Sequence, residues 1–194
     1  MRLLLASGSS RRADLLAQLG LRFDVKTPDV DETRRPDEEP STYVERVARD
    51  KAEAVATADA VVVAGDTAVV YEGHIMGKPG HPEEARSMLR RLQGDVHEVL
   101  TGLAVAASGE IHSLVDVTIV RMLPMTDDEI GDYVDTGEPM DKAGAYALQG
   151  RGGAFVESVN GSPFTVVGLP IHLLPRLLAR VGADIRRFDT SRPV

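Results

Sequence analysis

A chain of 194 residues, 43% of them hydrophobic, can bury one sizeable core, which predicts a single α/β domain over residues 1–194. The absence of cysteine excludes disulfides, thiolate metal sites and cysteine nucleophiles, so any metal must be bound by oxygen or imidazole. A formal net charge of −8 argues against binding to a nucleic acid polymer, because such binding needs a broad basic surface. The sequence has neither an apolar run of about 18 residues nor a signal-peptide pattern, so we expect a cytoplasmic protein that does not engage membranes.

The first half of the chain alternates apolar runs with amphipathic segments. Loop residues separate these segments, and a polar stretch, Asp29–Pro40, is predicted to be a loop within the fold. The pattern predicts a strand at Leu3–Ala6, a helix at Arg11–Leu19, a helix with Ser41 as its N-cap, and strand segments at Val61–Val63 and Val69–Tyr71.

The second half carries the clearer boundary signals. Pro82 and Gly94 delimit a helix, and Thr126 with Glu129 forms a capping-box pattern for another. The other predictions are strands Val96–Ala107 and Ile111–Leu123 joined by a short turn, a hairpin of Phe155–Val159 and Phe164–Val167 around Asn160-Gly161, and a helix at Ile171–Val181 that Pro175 kinks or delays. Strands joined both by turns and across helices predict a mixed sheet.

A loop of small residues, Ser7–Ser10, leads into the first helix and is followed by Arg11 and Arg12. Backbone N–H groups, hydroxyls and guanidinium groups are donors that suit phosphate oxygens. The spacing differs from G-x-x-x-x-G-K-[ST], which disfavours Walker-type chemistry. An ordinary capped helix with two surface arginines would have the same sequence, so both interpretations stay open.

Gly65-Asp66-Thr67 lies within an otherwise apolar strand region. A carboxylate there is costly unless it is paired, hydrogen-bonded or bound to a cation. This favours Asp66 as a metal ligand, as a base for water, or both. The alternative is an aspartate in a turn at the end of a strand.

Two lysines and one glutamate are further candidates. Lys51 lies on the apolar stripe of its helix, which fits either an ammonium group in a cleft or a side chain that snorkels to solvent. Lys78, between Gly77 and Pro79, is either directed at a phosphate or solvated. Glu32, after Asp31, either completes a metal site or is simply a solvated loop residue.

Small residues dominate the segment 138–153, which permits close approach of its backbone to a ligand or to packed elements. Gln149 in this segment has an amide that both donates and accepts hydrogen bonds. It is a candidate for contact with the edge of a base, and the alternative is a surface glutamine on a packed glycine loop.

These segments, taken in order, resemble the Maf family of nucleotide pyrophosphatases over nearly the whole chain. The most specific matches are Leu5–Ser9 with Arg11-Arg12, Lys51-Ala52, Gly65–Thr67, Gly77–Pro79, His97–Thr101 and Glu138–Gly150.

The resemblance implies an α/β fold: an elongated mixed sheet flanked by helices, divided by a deep central cleft and related to the inosine-triphosphate pyrophosphatases. It implies hydrolysis of a nucleoside triphosphate to a monophosphate and pyrophosphate with a divalent cation, Mg²⁺ or Mn²⁺. It makes Asp66 the catalytic carboxylate and a metal ligand, with Glu32 as a second acidic contributor to the metal site. It also implies a homodimer.

The resemblance further assigns the residues that contact the substrate. The phosphate path would be lined by Ser7, Arg11, Arg12, Lys51 and Lys78. The segment that ends at Gln149 resembles the branch that acts on dTTP and UTP, in which the positions tied to base choice correspond to Arg11, Thr67 and Gln149. The sequence departs from the family pattern at Ser10, where proline is usual, and at Gly65, where alanine is common.

Two other functions compete with this one. A nucleotide-binding regulator of cell division without turnover would not need a carboxylate that faces phosphates, since the carboxylate repels them unless a metal intervenes. A broader house-cleaning pyrophosphatase for non-standard nucleotides would use the same residues and differ in base preference.

Overall fold

The structure is a computed structural model that describes residues 1–191. It contains a seven-stranded mixed β-sheet in the order β2-β1-β3-β5-β6-β7, with β4 paired to β3. The strands are β1 (Arg2–Ala6), β2 (Asp24–Val25), β3 (Ala60–Tyr71), β4 (His74–Met76), β5 (Val96–Ala107), β6 (Glu110–Met122) and β7 (Val156–Asn160). The α-helices of the described residues are α1 (Ser10–Gln18), α2 (Pro40–Ala54), α3 (Pro82–Leu92), α4 (Asp127–Asp135), α5 (Pro163–Val167) and α6 (Leu174–Arg180).

The chain divides into two compact units. The first comprises Met1–Asp66, Thr101–Asp116 and the segment that starts at Gly168, and the second comprises Thr67–Leu100 and Val117–Val167. The predicted α/β class and mixed sheet are confirmed. The central cleft and the homodimer stay predictions.

In the first unit, β1 pairs in parallel with both β2 and β3. The register joins Arg2 to Ala60 and Ala6 to Ala64, so the carboxyl end of β1 lies beside the middle of β3. Small side chains on β1 and β3 allow α2 to pack closely in this unit. A Cβ atom added at Gly102 of β5 would lie 2.2 Å from the carbonyl oxygen of Val44, so only glycine permits this approach.

The second unit has its own core, in which α3 and α4 pack their apolar faces. Leu89 and Leu92 of α3 and Ile130 and Val134 of α4 are buried there. The predicted starts of both helices are confirmed. Pro82 begins α3, and Thr126 and Glu129 exchange both hydrogen bonds of a capping box at the start of α4.

Two sequence-based boundaries need revision, and a third is resolved. The segments Val61–Val63 and Val69–Tyr71 belong to one continuous strand, β3, so Asp66 is not in a turn. Helix α2 has Glu39, not Ser41, as its N-cap, because Pro40 takes the first helical position, where its fixed φ fits. Of the two effects predicted for Pro175, the late start is confirmed: Ile171–Leu173 is a 3₁₀ turn, and Pro175 lies in the first turn of α6.

The predicted hairpin around Asn160-Gly161 is wrong. Strand β7 pairs antiparallel with β6, while Pro163–Val167 forms α5. The physical reason is a competing partner for the turn: the N–H of Ser162 donates to Thr118 Oγ1 at 3.0 Å, which ties the chain to β6. Pro163 then begins a helix, for which its φ is already set.

No helix among residues 1–191 is both long enough and apolar enough to cross a membrane.

Candidate active site

Five of the candidate residues come together in the first unit because of the parallel pairing of β1 and β3. Ser7 follows directly after β1, whose last residue lies opposite Ala64, so Ser7 lies beside the middle part of β3 that carries Asp66. Lys51 is in the last turn of α2, and Arg12 is in the first turns of α1. Glu32 lies in the loop that precedes α2.

Lys51 bridges the two acidic candidates. Its Nζ is 2.8 Å from Asp66 Oδ1 and 2.9 Å from Glu32 Oε2. The side chains of Lys51 and Asp66 are only 8% and 9% exposed, whereas that of Glu32 is 52% exposed. The snorkelling alternative for Lys51 is therefore wrong, because its ammonium is held inside the unit by two carboxylates.

Arg12 forms the other side of the cluster. Its Nη1 donates to Ser7 Oγ at 3.2 Å and its Nε donates to the carbonyl oxygen of Gly168 at 2.7 Å. Ser7 Oγ also accepts the N–H of Ser9 at 3.1 Å, which fixes the turn into α1. A Cβ atom at Gly65 would lie 3.4 Å from Arg12 Nε and 3.3 Å from the Gly168 carbonyl oxygen, so Gly65 leaves room for this contact.

The charges in the cluster shift two ionisation equilibria. Burial raises the pKa of Asp66, and the opposing effects of Lys51 and Arg12 only partly offset the rise. Burial lowers the pKa of Arg12, which Asp66 counteracts. Arg11 lies on the same helix, half-buried, and its charge also lowers the pKa of Arg12.

The donor set fits a hard divalent cation. Asp66 and Glu32 both lie within hydrogen-bond distance of one Nζ atom, so their oxygens converge on one point. Mg²⁺ in nucleotide sites is commonly bound by one or two carboxylates together with substrate phosphates. Within residues 1–191, no group of three or more His, Cys, Asp and Glu side chains could hold a metal, so the phosphates would have to complete the coordination.

Sequence reasoning missed the residues that hold the Glu32 loop. Arg46 of α2 binds the buried Glu38 carboxylate through Nε at 2.7 Å and Nη2 at 2.9 Å. Arg46 Nη2 also donates to the carbonyl oxygen of Thr33. The hydroxyl of Tyr43 donates to the backbone carbonyl oxygen of Glu32 at 3.1 Å. Burial raises the pKa of Tyr43 to about 12, so the hydroxyl keeps the proton that it donates. A helix arginine five residues before a candidate lysine gives no sequence signal for this role.

The remaining candidates belong to the second unit. Thr67 follows Asp66 in β3 and is half-buried, whereas Lys78 and Gln149 are exposed in loops. Their participation in a site with Asp66 stays a prediction. Sequence reasoning also gave no role to Glu138, whose carboxylate accepts the Tyr133 hydroxyl and the N–H groups of Arg151 and Gly152.

The chain is similar in sequence to a known protein family. A family model described as "Maf-like protein" matches residues 2–181. The chain belongs to the Maf family. The fold and the order of the motifs agree with this membership.

Two relatives illustrate the similarity within the Maf family. A protein of Anaeromyxobacter dehalogenans named dTTP/UTP pyrophosphatase is 54% identical over 185 residues, covering 93% of this chain and 94% of the relative. A protein of Vibrio cholerae with the same name is 46% identical over 180 residues, covering 91% and 96%. Among solved structures, the Staphylococcus aureus Ham1 protein is similar in fold, with a TM-score of 0.50, 16% identity, and coverage of 93% of this chain and 99% of that one.

Proposed function

We propose that this chain is a nucleoside triphosphate pyrophosphatase that cleaves between the α and β phosphates, with dTTP and UTP as its preferred substrates. The observation that carries the proposal is the buried Asp66 carboxylate, which faces two cations and a second carboxylate at the point where Maf family motifs converge. Names of relatives that share about half of their residues with this chain support the same substrates.

Asp66 is the residue proposed to accept the proton of the attacking water. A base is more effective when its pKa lies nearer the working pH, and burial moves the pKa of Asp66 in that direction. Lys51 keeps the carboxylate oriented through its 2.8 Å contact. A binding protein without turnover would gain nothing from this costly buried group.

The charge balance of the cluster explains why a divalent cation is proposed. Lys51 and Arg12 offset Asp66 and Glu32, so these four side chains offer no excess positive charge to a triphosphate. We propose that Asp66 and Glu32 hold Mg²⁺ or Mn²⁺. The cation would neutralise charge on the phosphates and lower the pKa of the attacking water.

The basic residues and the first loop are proposed to position the phosphates. Ser7, Arg11 and Arg12 lie where α1 begins, and a helix start favours anions through its N–H groups and dipole. Lys51 would exchange part of its contact with Glu32 for a phosphate oxygen. Lys78 is proposed to add a further positive charge from the second unit.

Base choice is proposed to rest on Gln149, Thr67 and Arg11. A pyrimidine edge presents acceptor, donor and acceptor groups in sequence, which one amide and one guanidinium can match. A site built to hydrogen-bond a substrate group rejects analogues that leave its polar atoms unpaired.

A substrate panel tests the proposal. Purified protein is incubated with each canonical and several modified triphosphates, with Mg²⁺ or Mn²⁺, and the products are separated by anion-exchange chromatography. We expect monophosphate and pyrophosphate, with the highest kcat/KM for dTTP and UTP. Orthophosphate and diphosphate as main products would contradict the reaction, and a preference for modified bases would favour the house-cleaning alternative.

A further inference from the structure

The carboxylate of Glu138 is the centre of a hydrogen-bond network in the second unit. Its Oε1 accepts the Tyr133 hydroxyl at 2.9 Å and the N–H of Gly152 at 2.9 Å. Its Oε2 accepts the N–H of Arg151 at 3.0 Å. One side chain thus binds two consecutive backbone N–H groups and a phenol.

The network extends to the other side of Gln149. The oxygen of the Tyr133 hydroxyl, which donates to Glu138, accepts the N–H of Ala147 at 3.2 Å. Just before Ala147, the Tyr146 hydroxyl is 2.8 Å from His97 Nε2. The backbone is therefore fixed two residues before Gln149 and two residues after it.

The close approach of the backbone to Glu138 and Tyr133 requires glycine at two positions. Gly150 has φ +99°, which L side chains rarely adopt, and a Cβ atom there would lie 2.6 Å from Glu138 Oε2. A Cβ atom at Gly152 would lie 2.4 Å from the Tyr133 hydroxyl and 2.6 Å from the Ala147 carbonyl oxygen. The chain approaches the carboxylate and the phenol as closely as it does because these side chains are absent.

Ionisation is consistent with the hydrogen bonds. Burial alone would raise the pKa of Glu138, but the N–H groups of Gly152 and Arg151 and the Tyr133 hydroxyl together lower it. Burial and the Glu138 carboxylate raise the pKa of Tyr133. Near neutral pH the acceptor is therefore charged and the phenol keeps its proton, which strengthens the bond between them.

We propose that Glu138, acting through Tyr133 and the N–H groups of Arg151 and Gly152, is a positioning residue for base selection. It fixes the backbone from which the exposed Gln149 presents its amide to a pyrimidine. An amide on a mobile loop would lose orientational freedom on binding, whereas a fixed loop has lost that freedom in advance. This inference rests on the proposed function, because it assigns a role to Glu138 only if Gln149 reads the base.

The test is a double-mutant cycle of Glu138→Gln and Gln149→Ala, with kcat and KM measured separately for dTTP and dATP. Glu138→Gln keeps the size of the side chain but turns an amide donor towards an N–H group. We expect the ratio of kcat/KM for dTTP to that for dATP to fall about tenfold, mainly through KM for dTTP, because one backbone N–H loses its acceptor. In the Gln149→Ala background, Glu138→Gln should leave this ratio unchanged.

Glu129→Gln is the matched control. Glu129 also accepts a backbone N–H and a hydroxyl, both from Thr126, and it caps the helix that carries Tyr133. We expect this variant to lose some stability and to keep its dTTP preference. If Glu138→Gln does not fold, Tyr133→Phe replaces it in the cycle, with a smaller loss in the same direction.

The outcomes separate this inference from the proposed function. If Glu138→Gln lowers kcat/KM equally for both nucleotides, Glu138 only stabilises the unit. The same follows if Glu138→Gln lowers the dTTP-to-dATP ratio in the Gln149→Ala background as much as it does alone. If the wild-type protein does not favour dTTP, or if Gln149→Ala leaves that preference intact, the proposed base choice fails and this role fails with it. If the wild type prefers dTTP, Gln149→Ala loses that preference and Glu138→Gln keeps it, only this inference is overturned.

Discussion

At the scale of single residues, the side chains of Asp66 and Lys51 illustrate how burial and charge act against each other. Burial raises the free energy of the ionised carboxylate, and the ammonium 2.8 Å away lowers it. Glu32 shares the same ammonium and is far more exposed. Such an arrangement leaves Asp66 more basic than a solvated aspartate.

Asp66→Asn tests the catalytic assignment. We expect kcat to fall by about 100-fold or more, because the amide cannot accept the proton of water, while nucleotide binding stays largely intact. Steady-state kinetics and equilibrium binding of dTTP measure the two effects separately. A variant with nearly normal kcat would exclude Asp66 as the base.

The pH dependence of activity follows from the raised pKa of Asp66. The reaction needs the carboxylate, so activity is present above this pKa and is lost as the pH falls through it. Lys51→Met removes the charge that lowers this pKa, so we expect the acid limb of the kcat/KM profile to move to higher pH. Lys78→Met is the control, since it removes a proposed phosphate contact on the second unit and should lower activity without moving the limb. An unmoved limb in Lys51→Met would mean that another group titrates.

At the scale of elements, α2 links the stability of the first unit to its chemistry. The helix supplies Lys51 on one turn and, on earlier turns, Arg46 and Tyr43, which hold the loop of Glu32. Strand β5 can pack against this helix only because Gly102 has no side chain. Changes that shift α2 are therefore expected to move Lys51 relative to Asp66.

Arg46→Met tests the ion pair between Arg46 and Glu38. The hydrogen bond from Arg46 lowers the pKa of Glu38 from 4.5 to about 2. A lowered pKa in the folded state gives stability that is present above the unfolded pKa and is lost as the pH falls from 4.5 towards 2. We expect Arg46→Met to reduce the free energy of unfolding by about 3 kcal/mol at pH 7, because a buried carboxylate loses its partner. The difference from wild type in urea denaturation should narrow as the pH falls below 4.5. A difference in the free energy of unfolding that does not depend on pH would contradict this role of the ion pair.

At the scale of the whole molecule, the described residues offer only part of a metal site. Asp66 and Glu32 are two carboxylates, and no set of three or more His, Cys, Asp or Glu side chains gathers anywhere in residues 1–191. A cation held by two carboxylates alone binds weakly and gains its remaining ligands from a nucleotide. The metal is therefore expected to serve the reaction and not the fold.

Removal of metal by EDTA tests this expectation. We expect activity to be abolished and restored by Mg²⁺ or Mn²⁺, while the melting temperature of the nucleotide-free protein changes little, because two carboxylates alone hold a cation weakly. Mg²⁺ should raise the melting temperature clearly only when a non-hydrolysable triphosphate is present. A large fall in melting temperature with EDTA alone would indicate a structural metal.

Local patterns were sufficient where the decisive interactions are local. The capping box of Thr126 and Glu129, the start of α3 at Pro82 and the short turn between β5 and β6 depend on contacts a few residues apart. All three were predicted, although β6 begins at Glu110 and not at Ile111. The hairpin at Asn160-Gly161 failed because Ser162, the residue after the predicted turn, bonds to Thr118, which is distant in sequence.

The sequence by itself determined the class of fold, the family and the residue types that carry the chemistry, since these depend on periodicity and on motif order. Only the tertiary structure decided how those residues interact. Lys51 contacts Asp66 across 15 positions, and Arg12 reaches the Gly168 carbonyl oxygen across 156. Such pairs, and the pKa shifts that follow from their burial, arise from the pairing of β1 with β3 and the packing of α2, which no local pattern encodes.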